Sequence, residues 1–113
     1  MAFSLNVFQT VTAVVSVVPT VVYSAPVGYT GVVLLAQVAN IGGTSADVSL
    51  SHQRSVVGVA VTTEMVKQFP ISSNDTANLL AGKLVLESGD KLVLSGSSGT
   101  DLKFIGSILE TLN

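Results

Sequence analysis

Apolar and polar residues alternate along this chain in short runs, and clusters of Gly, Ser, Asn and Pro separate the runs. In the run DVSLSHQR, at residues 47–54, Val48, Leu50 and His52 share one face, and the residues between them share the other. A period of two residues is typical of a β-strand with one buried face. The pattern therefore predicts a half-buried strand here.

The same reasoning predicts strands over most of the remaining chain. Val-rich and alternating runs predict strands at residues 11–18, 20–24, 30–41, 56–63, 64–71, 83–87, 91–96 and 101–111, of which 56–63 and 64–71 could be one bent strand. Leu102 and Phe104 share one face of the last strand, opposite Lys103. Residues 72–82 are predicted to be mostly turn, with at most one short helical turn.

The tight turn SGD at residues 88–90 is predicted to join strands 83–87 and 91–96 into a hairpin. Eight or nine short strands, without helical heptads or βαβ alternation, predict an all-β protein with little or no helix. The expected architecture is an antiparallel β-sandwich or jelly roll. With 113 residues, the chain is expected to form a single domain over residues 1–113, whose residues 1–10 could form an N-terminal arm.

The apolar stretch VTAVVSVVPTVVYSAP, residues 11–26, could be mistaken for a signal peptide or a membrane helix. A signal peptide needs a basic start, and residues 1–10 contain no Lys or Arg. A membrane helix needs about 20 continuous apolar residues, and polar residues and Pro19 interrupt this run. We therefore expect no signal peptide and no membrane partner, but two β segments hinged at Pro19.

Charge is scarce and unevenly placed. Only 11% of the residues are charged, against about 25% in an average domain, and the formal net charge is −2. The few basic residues are scattered, so we expect no nucleic-acid partner. The first charged residue is Asp47, and a long charge-free segment suits a surface that is buried in an oligomer. The predicted interface residues are Phe3, Leu5, Val7, Phe8 and Val11.

The residue types that carry chemistry are sparse. There is no Cys, and the one histidine, His52, shares a strand face with Val48 and Leu50, which favours a structural role. Glu87 and Asp90 are the two ends of the turn ESGD, residues 87–90, where a calcium site is an alternative to an ordinary turn aspartate. No nucleophile elbow or phosphate-binding loop is present. We predict no catalytic residue, no metal and no cofactor.

Several sequence blocks resemble a known group of proteins. The blocks are VYSAP at residues 22–26, VAN at residues 38–40, and ISSNDTANLLAGKLVLESGD at residues 71–90. In this order they resemble the small virion structural proteins of tailed bacteriophages, especially contractile-tailed cyanophages. The resemblance covers most of residues 20–113.

The resemblance implies a non-enzymatic β-sandwich subunit of the virion, assembled in the host cytoplasm. A capsid decoration protein is the first expectation, and a tail, neck or fibre component is the second. The expected partners are the major capsid or tail protein and further copies of the chain, as a trimer. A receptor- or glycan-binding module is the alternative from another class, for which Tyr29, Asn74 and Asn78 would have to share one rim. A hydrolase, with His52 between a Ser and an Asp, is the third.

Overall fold

The computed structural model describes residues 6–113, and these residues form strands and no helix, which confirms the all-β prediction. The strands are β1 (Asn6–Val14), β2 (Thr20–Ser24), β3 (Tyr29–Asn40), β4 (Ala46–Val56), β5 (Val59–Ile71), β6 (Thr76–Asn78), β7 (Leu84–Leu86), β8 (Lys91–Gly96) and β9 (Leu102–Leu112). Val and Thr make up most of β1 and β2, as expected where β-branched side chains pack on a pleated surface.

The strands form two antiparallel sheets. Sheet A has the order β1-β9-β3-β6, and β7 also pairs with β3. Sheet B has the order β2-β8-β4-β5. The chain therefore passes back and forth between two layers, as a β-sandwich requires.

The pairing is nested along the chain. β4 pairs with β5, β3 with β6 and β7, β2 with β8, and β1 with β9. The chain thus runs as one long antiparallel ribbon that is rolled up, and the contacts of β9 with β3 and of β8 with β4 close the roll. This is the double-sheet jelly roll, in which β6 and β7 together take the place of one strand.

The hydrophobic core lies between the inner faces of the two sheets. Val33, Val38 and Ile108 from sheet A and Leu50 and Leu94 from sheet B are fully buried in it. The predicted alternation of β4 and of β9 is confirmed: Val48 and Leu50 are buried and His52 is half-buried in β4, and Leu102 and Phe104 are buried in β9. Burial of branched and aliphatic side chains is the main stabilising contribution here.

The predicted hairpin around residues 88–90 is wrong in its pairing. The turn is present, and the Asp90 N–H donates to the carbonyl of Glu87 over 2.9 Å. However, β7 pairs with β3 in sheet A, whereas β8 pairs with β2 and β4 in sheet B. Leu86 and Leu92 therefore enter the core from opposite sheets. Both strands carry the same local pattern, which does not specify the partner strand.

Other predicted boundaries also need correction. The first strand covers Asn6–Val14 and not residues 11–18, because the chain leaves the sheet at Val15. Val15 is buried in the core, with 1% of its surface exposed. Residues 72–82 hold the short strand β6 and no helical turn. The opening stretch at residues 11–26 is the end of β1, a connection and β2. Within the described part of the chain, no helix is long and apolar enough to cross a membrane.

The strand predicted at residues 56–63 contains a hairpin turn. Val56 pairs with Val59, so Val57 and Gly58 form a two-residue loop, with φ angles of 50° and 77°. This conformation suits Asn-Gly, whereas a β-branched residue is strained in it. Val57 is also 98% exposed, so no packing compensates for the strain. β5 is a single strand, bent by register shifts against β4.

We predict that Val57→Asn stabilises the protein by about 1 kcal/mol, because Asn adopts a positive φ at lower cost than Val. Urea unfolding followed by circular dichroism measures the change. Val59→Asn is the matched control, since it removes an exposed valine from the neighbouring strand end, where the backbone is extended. A control variant that gains as much stability as Val57→Asn would contradict the strain argument.

Candidate association surface

The predicted interface residues lie in β1 or before it. Phe3 and Leu5 lie outside the described residues. Phe8 is 76% exposed, Val7 is half-buried, and Val11 packs against the hydrophobic core. Val11 therefore contributes to the chain's own sandwich, while Phe8 faces outward. Of the expected N-terminal arm, residues 6–10 pair with β9 in the same molecule.

Phe8 belongs to a row of apolar residues that crosses the outer face of sheet A. In the strand register, Phe8 is opposite Leu109, Leu109 is opposite Val32, and Val32 is opposite Val85. Residues opposite each other in a sheet lie on the same face, so the four side chains form one band across β1, β9, β3 and β7. Val85 is 54% exposed at the far edge. We call the outward side chains of sheet A the apolar face.

The apolar face continues along the strands. Leu34, at the register shift of β3, is exposed, as are Val14 and Ile105 at the other end of the sheet. Among the outward residues of these described strands, Lys103 is the one that carries a charge. Uncharged polar residues, such as Thr10, Ser107 and Gln37, lie between the two ends of the sheet. Exposed apolar clusters such as the band mark interaction sites in soluble proteins.

A hollow of about 540 Å³ lies at one end of the apolar face. Thr12, Val14, Ala39 and Ile105 contribute to its lining, beside Lys103. Its lining is mostly hydrocarbon, so an apolar side chain of a partner would fit it better than a polar ligand.

The outer face of sheet B has the opposite character. Ser49, Ser51, Gln53, Thr62 and Glu64 contribute to a polar hollow of about 370 Å³ across β4 and β5. Hydrogen bonds join part of this surface, for example from Gln53 Nε2 to Thr62 Oγ1 at 3.2 Å. One outer face of the sandwich therefore carries an apolar band, and the other carries a polar hollow.

A buried polar pair connects the two sheets. The Tyr23 hydroxyl of β2 donates to Glu110 Oε2 of β9 over 2.5 Å, and the Gln9 amide donates to Glu110 Oε1. Gly31 lies opposite Glu110, and a side chain at Gly31 would meet the Tyr23 hydroxyl at 3.1 Å. Burial and the hydrogen bond to Glu110 raise the pKa of Tyr23. The pair is satisfied internally, and it ties the layers together.

A second polar cluster surrounds Asp90, whose side chain is 5% exposed. Its Oδ2 lies 3.0 Å from Nε2 of His52 and accepts from Nη2 of Arg54 at 2.8 Å. Arg54 Nε donates to Oδ1 at 3.2 Å, and the Glu87 N–H donates to Oδ2 at 3.0 Å. β4 supplies both basic side chains because His52 and Arg54 are two residues apart on one face.

The Arg54 guanidinium determines the electrostatics of this cluster. Its hydrogen bonds lower the pKa of Asp90 to about 2, with a smaller contribution from His52, and outweigh the opposing effect of burial. Arg54 also pairs with Glu87 at 2.7 Å. The guanidinium therefore lies between the two carboxylates that a calcium ion would need, and it supplies the positive charge there. In the described part of the chain no group of three or more His, Asp or Glu could hold a metal.

The structure brings together only some of the residues that the sequence suggested for a hydrolase or a glycan-binding module. The structure places His52 beside Asp90, but among the described hydrogen bonds none joins His52 to a serine. The rim proposed for glycan binding is not formed. Tyr29 begins β3, whereas Asn78 pairs with Gln37, eight residues along that strand or about 26 Å away. Asn74 lies beyond β6, further from Tyr29 still.

Sequence reasoning missed both polar clusters and the apolar band. The four residues of the band come from strands that are distant in the sequence, and only the register aligns them. A local signal existed for the Asp90 cluster, because His52 and Arg54 are basic residues on one face of a predicted strand. An inward basic pair needs a buried carboxylate, and Asp90 supplies it.

No protein-family model matches this chain, and no curated protein matches it either. Solved structures do match in fold. A chain of the T13 particle of infectious bursal disease virus has a TM-score of 0.58 at 14% identity, over 97% of this chain and 32% of that one. A chain of the Gx strain of that virus has a TM-score of 0.59 at 13% identity, over 97% of this chain and 33% of that one.

A subunit of the Bacillus endospore appendages, described as disulfide-linked pili, has a TM-score of 0.51 at 13% identity, over 96% of this chain and 88% of that one. This chain spans about a third of the length of the viral chains that it matches. At such identities the likeness concerns the fold alone. The β-sandwich of this protein is therefore similar in architecture to chains of virus particles and of an endospore appendage.

We predict that stability falls by about 1.5 kcal/mol between pH 4.5 and pH 2.5 through Asp90 alone. The depressed pKa in the folded state means that Asp90 stabilises the fold above its unfolded pKa, and that this contribution is lost as the pH falls toward 2. Urea unfolding at the two pH values measures it.

Asp90→Asn isolates this contribution, because it removes the titrating group and leaves every other carboxyl in place. The loss between the two pH values should be smaller in the variant by the predicted amount. Equal losses in the variant and the wild type would show that the Arg54 contact does not stabilise the ionised form.

Proposed function

We propose that this protein is a non-enzymatic structural protein of a virion that functions through its apolar face. The observation that carries the proposal is the band Phe8–Leu109–Val32–Val85 on an outer sheet face, whose described residues include one charged side chain, Lys103. An exposed apolar surface with little charge suits a permanent contact with another protein. The similarity in fold to chains of virus particles supports this role.

Within that role, we propose a bacteriophage head decoration protein, which the sequence resemblance favours. The apolar face would contact the major capsid protein, and self-association would distribute copies over the particle. A tail, neck or fibre position is the second choice. Phe8 would belong to the contact surface, whereas Val7 and Val11 lie on the inner face of β1, and Val11 packs against the protein's own core.

A catalytic role has no support from the polar groups. Asp90 is bound by His52 and Arg54, and Glu110 by Tyr23 and Gln9, so these buried groups satisfy one another. Fully satisfied polar networks of this kind position secondary structure and specify the packing of a core.

A glycan-binding role remains a second candidate because of the polar hollow on sheet B. Its hydroxyl and amide groups, from Ser49, Ser51, Gln53 and Thr62, match the hydrogen bonding of a sugar. No aromatic residue is among those that line it, so the stacking contact that sugars favour is missing. A glycan array with Gln53→Ala as the negative control tests this candidate.

The virion proposal is tested with tagged variants expressed in the cells that produce the particles. Val32→Glu places a charge in the centre of the apolar band, and we expect recovery with purified particles to fall at least tenfold. Val93→Glu is the matched control, because Val93 is also a half-buried valine on an inner strand, but on the outer face of sheet B. We expect it to be recovered like the wild type.

Equal recovery of Val32→Glu and Val93→Glu would contradict a role for the apolar face. Absence of the wild-type chain from the particles would contradict the virion proposal itself. Immunogold labelling of the same particles distinguishes the head from the tail, and head labelling is the expected result.

A further inference from the structure

We propose that two copies of this chain pair through their β1 edges, antiparallel, about a twofold axis at Thr10. β1 is an edge strand of sheet A, with β9 on one side and no described strand on the other. The inference rests on the proposed structural role and names the contact through which the chain associates with itself. The resulting dimer takes the place of the trimer predicted from the sequence.

The backbone of β1 offers a complete set of hydrogen-bonding groups to a partner. The Val15 N–H donates to the carbonyl of Leu102 over 2.9 Å, in register with the nine-residue ladder between β1 and β9. In an antiparallel pair, the backbone N–H and C=O groups of every second residue point toward the partner strand. The odd-numbered residues therefore bond to β9, and the N–H and C=O groups of the even-numbered residues face the open edge. These are Asn6, Phe8, Thr10, Thr12 and Val14.

The remaining edges carry features that oppose strand addition. β2 is five residues long, follows Pro19 and has a register shift. β5 contains Glu64, Lys67 and Pro70 and is bent. β6 and β7 are three residues each, and Lys83 precedes β7. Short strands, charges, prolines and bulges are the usual protection of sheet edges.

β1 has none of these protections. Its sequence NVFQTVTAV contains no charge and no proline, and its ladder with β9 runs over nine residues without a register shift. A long, regular and uncharged edge is a template for pairing with another strand. In a protein that protects its other edges, the unprotected one points to a partner.

A second copy fits this edge because β1 is complementary to itself. With the axis at Thr10, Thr10 is opposite its own copy, Phe8 is opposite Thr12 and Asn6 is opposite Val14. Thr–Thr and aromatic–β-branched pairs are favourable across strands. The five even-numbered residues of each copy would exchange about ten hydrogen bonds, as many as an ordinary interface contains.

The symmetry also joins the two apolar faces. Even-numbered residues pair with even-numbered residues, so the outward side chains of both copies lie on the same side of one continuous sheet. The two apolar faces then lie side by side, with Phe8 of one copy beside Thr12 of the other. The apolar face stays available for a larger partner, because the edge contact uses the backbone and leaves that face uncovered.

Charge variants at the axis test this pairing. Thr10→Lys and Thr10→Glu each place like charges directly opposite one another, and we expect each to weaken the dimer at least tenfold in sedimentation equilibrium. An equimolar mixture of the two should dimerise again, because Lys then lies opposite Glu. Thr10 is an exposed edge residue, so both variants are expected to fold, and circular dichroism checks this.

Ser107→Lys is the matched control. Ser107 is opposite Thr10 in β9, on the same outer face but away from the edge, so this variant should dimerise like the wild type. Val32→Glu should also dimerise. Thr10 variants that associate like the wild type, a mixture that stays monomeric, or a monomeric wild type would each overturn the pairing. The proposed function stands or falls separately, on recovery with particles.

Discussion

The buried carboxylate of Asp90 fixes the point where the chain crosses from sheet A to sheet B. Its side chain binds His52 and Arg54 of β4 and the backbone of Glu87, and its carbonyl accepts from the N–H of Ala25 over 2.9 Å. The ionised side chain connects the short turn to β4 in sheet B, and the backbone of the same residue connects it to the end of β2.

The alternation of residue types was sufficient to predict the strands, the inward residues of β4 and β9 and the fold class. It could not predict the partner strands, because Leu86 and Leu92 carry the same local pattern and belong to different sheets. It also missed the turn at Val57, where the residue type opposes the conformation. Local periodicity records which face is buried, whereas pairing depends on contacts between distant segments.

The lack of charge before Asp47 has two explanations in the described part of this segment. Inward residues of this segment, such as Val15, Val33 and Val38, are uncharged because they fill the protein's own core. Its outward residues, such as Phe8 and Val32, have no such reason, and they lie on the apolar face. Only this second group supports an interface. The polar outer face of sheet B shows that the fold itself does not require an apolar exterior.

The nested pairing also implies an order of folding. Val56 and Val59 are adjacent across a two-residue loop, whereas Val14 and Lys103 meet only after nearly the whole chain has been closed into a loop. The entropic cost of closing a loop grows with its length. We therefore expect strand pairing to begin at the β4–β5 hairpin and to proceed outward, so that β1 pairs last. The uncharged β1 edge then forms only after the rest of the sandwich has folded. Pairing of this edge with another chain would therefore follow folding and would not compete with it.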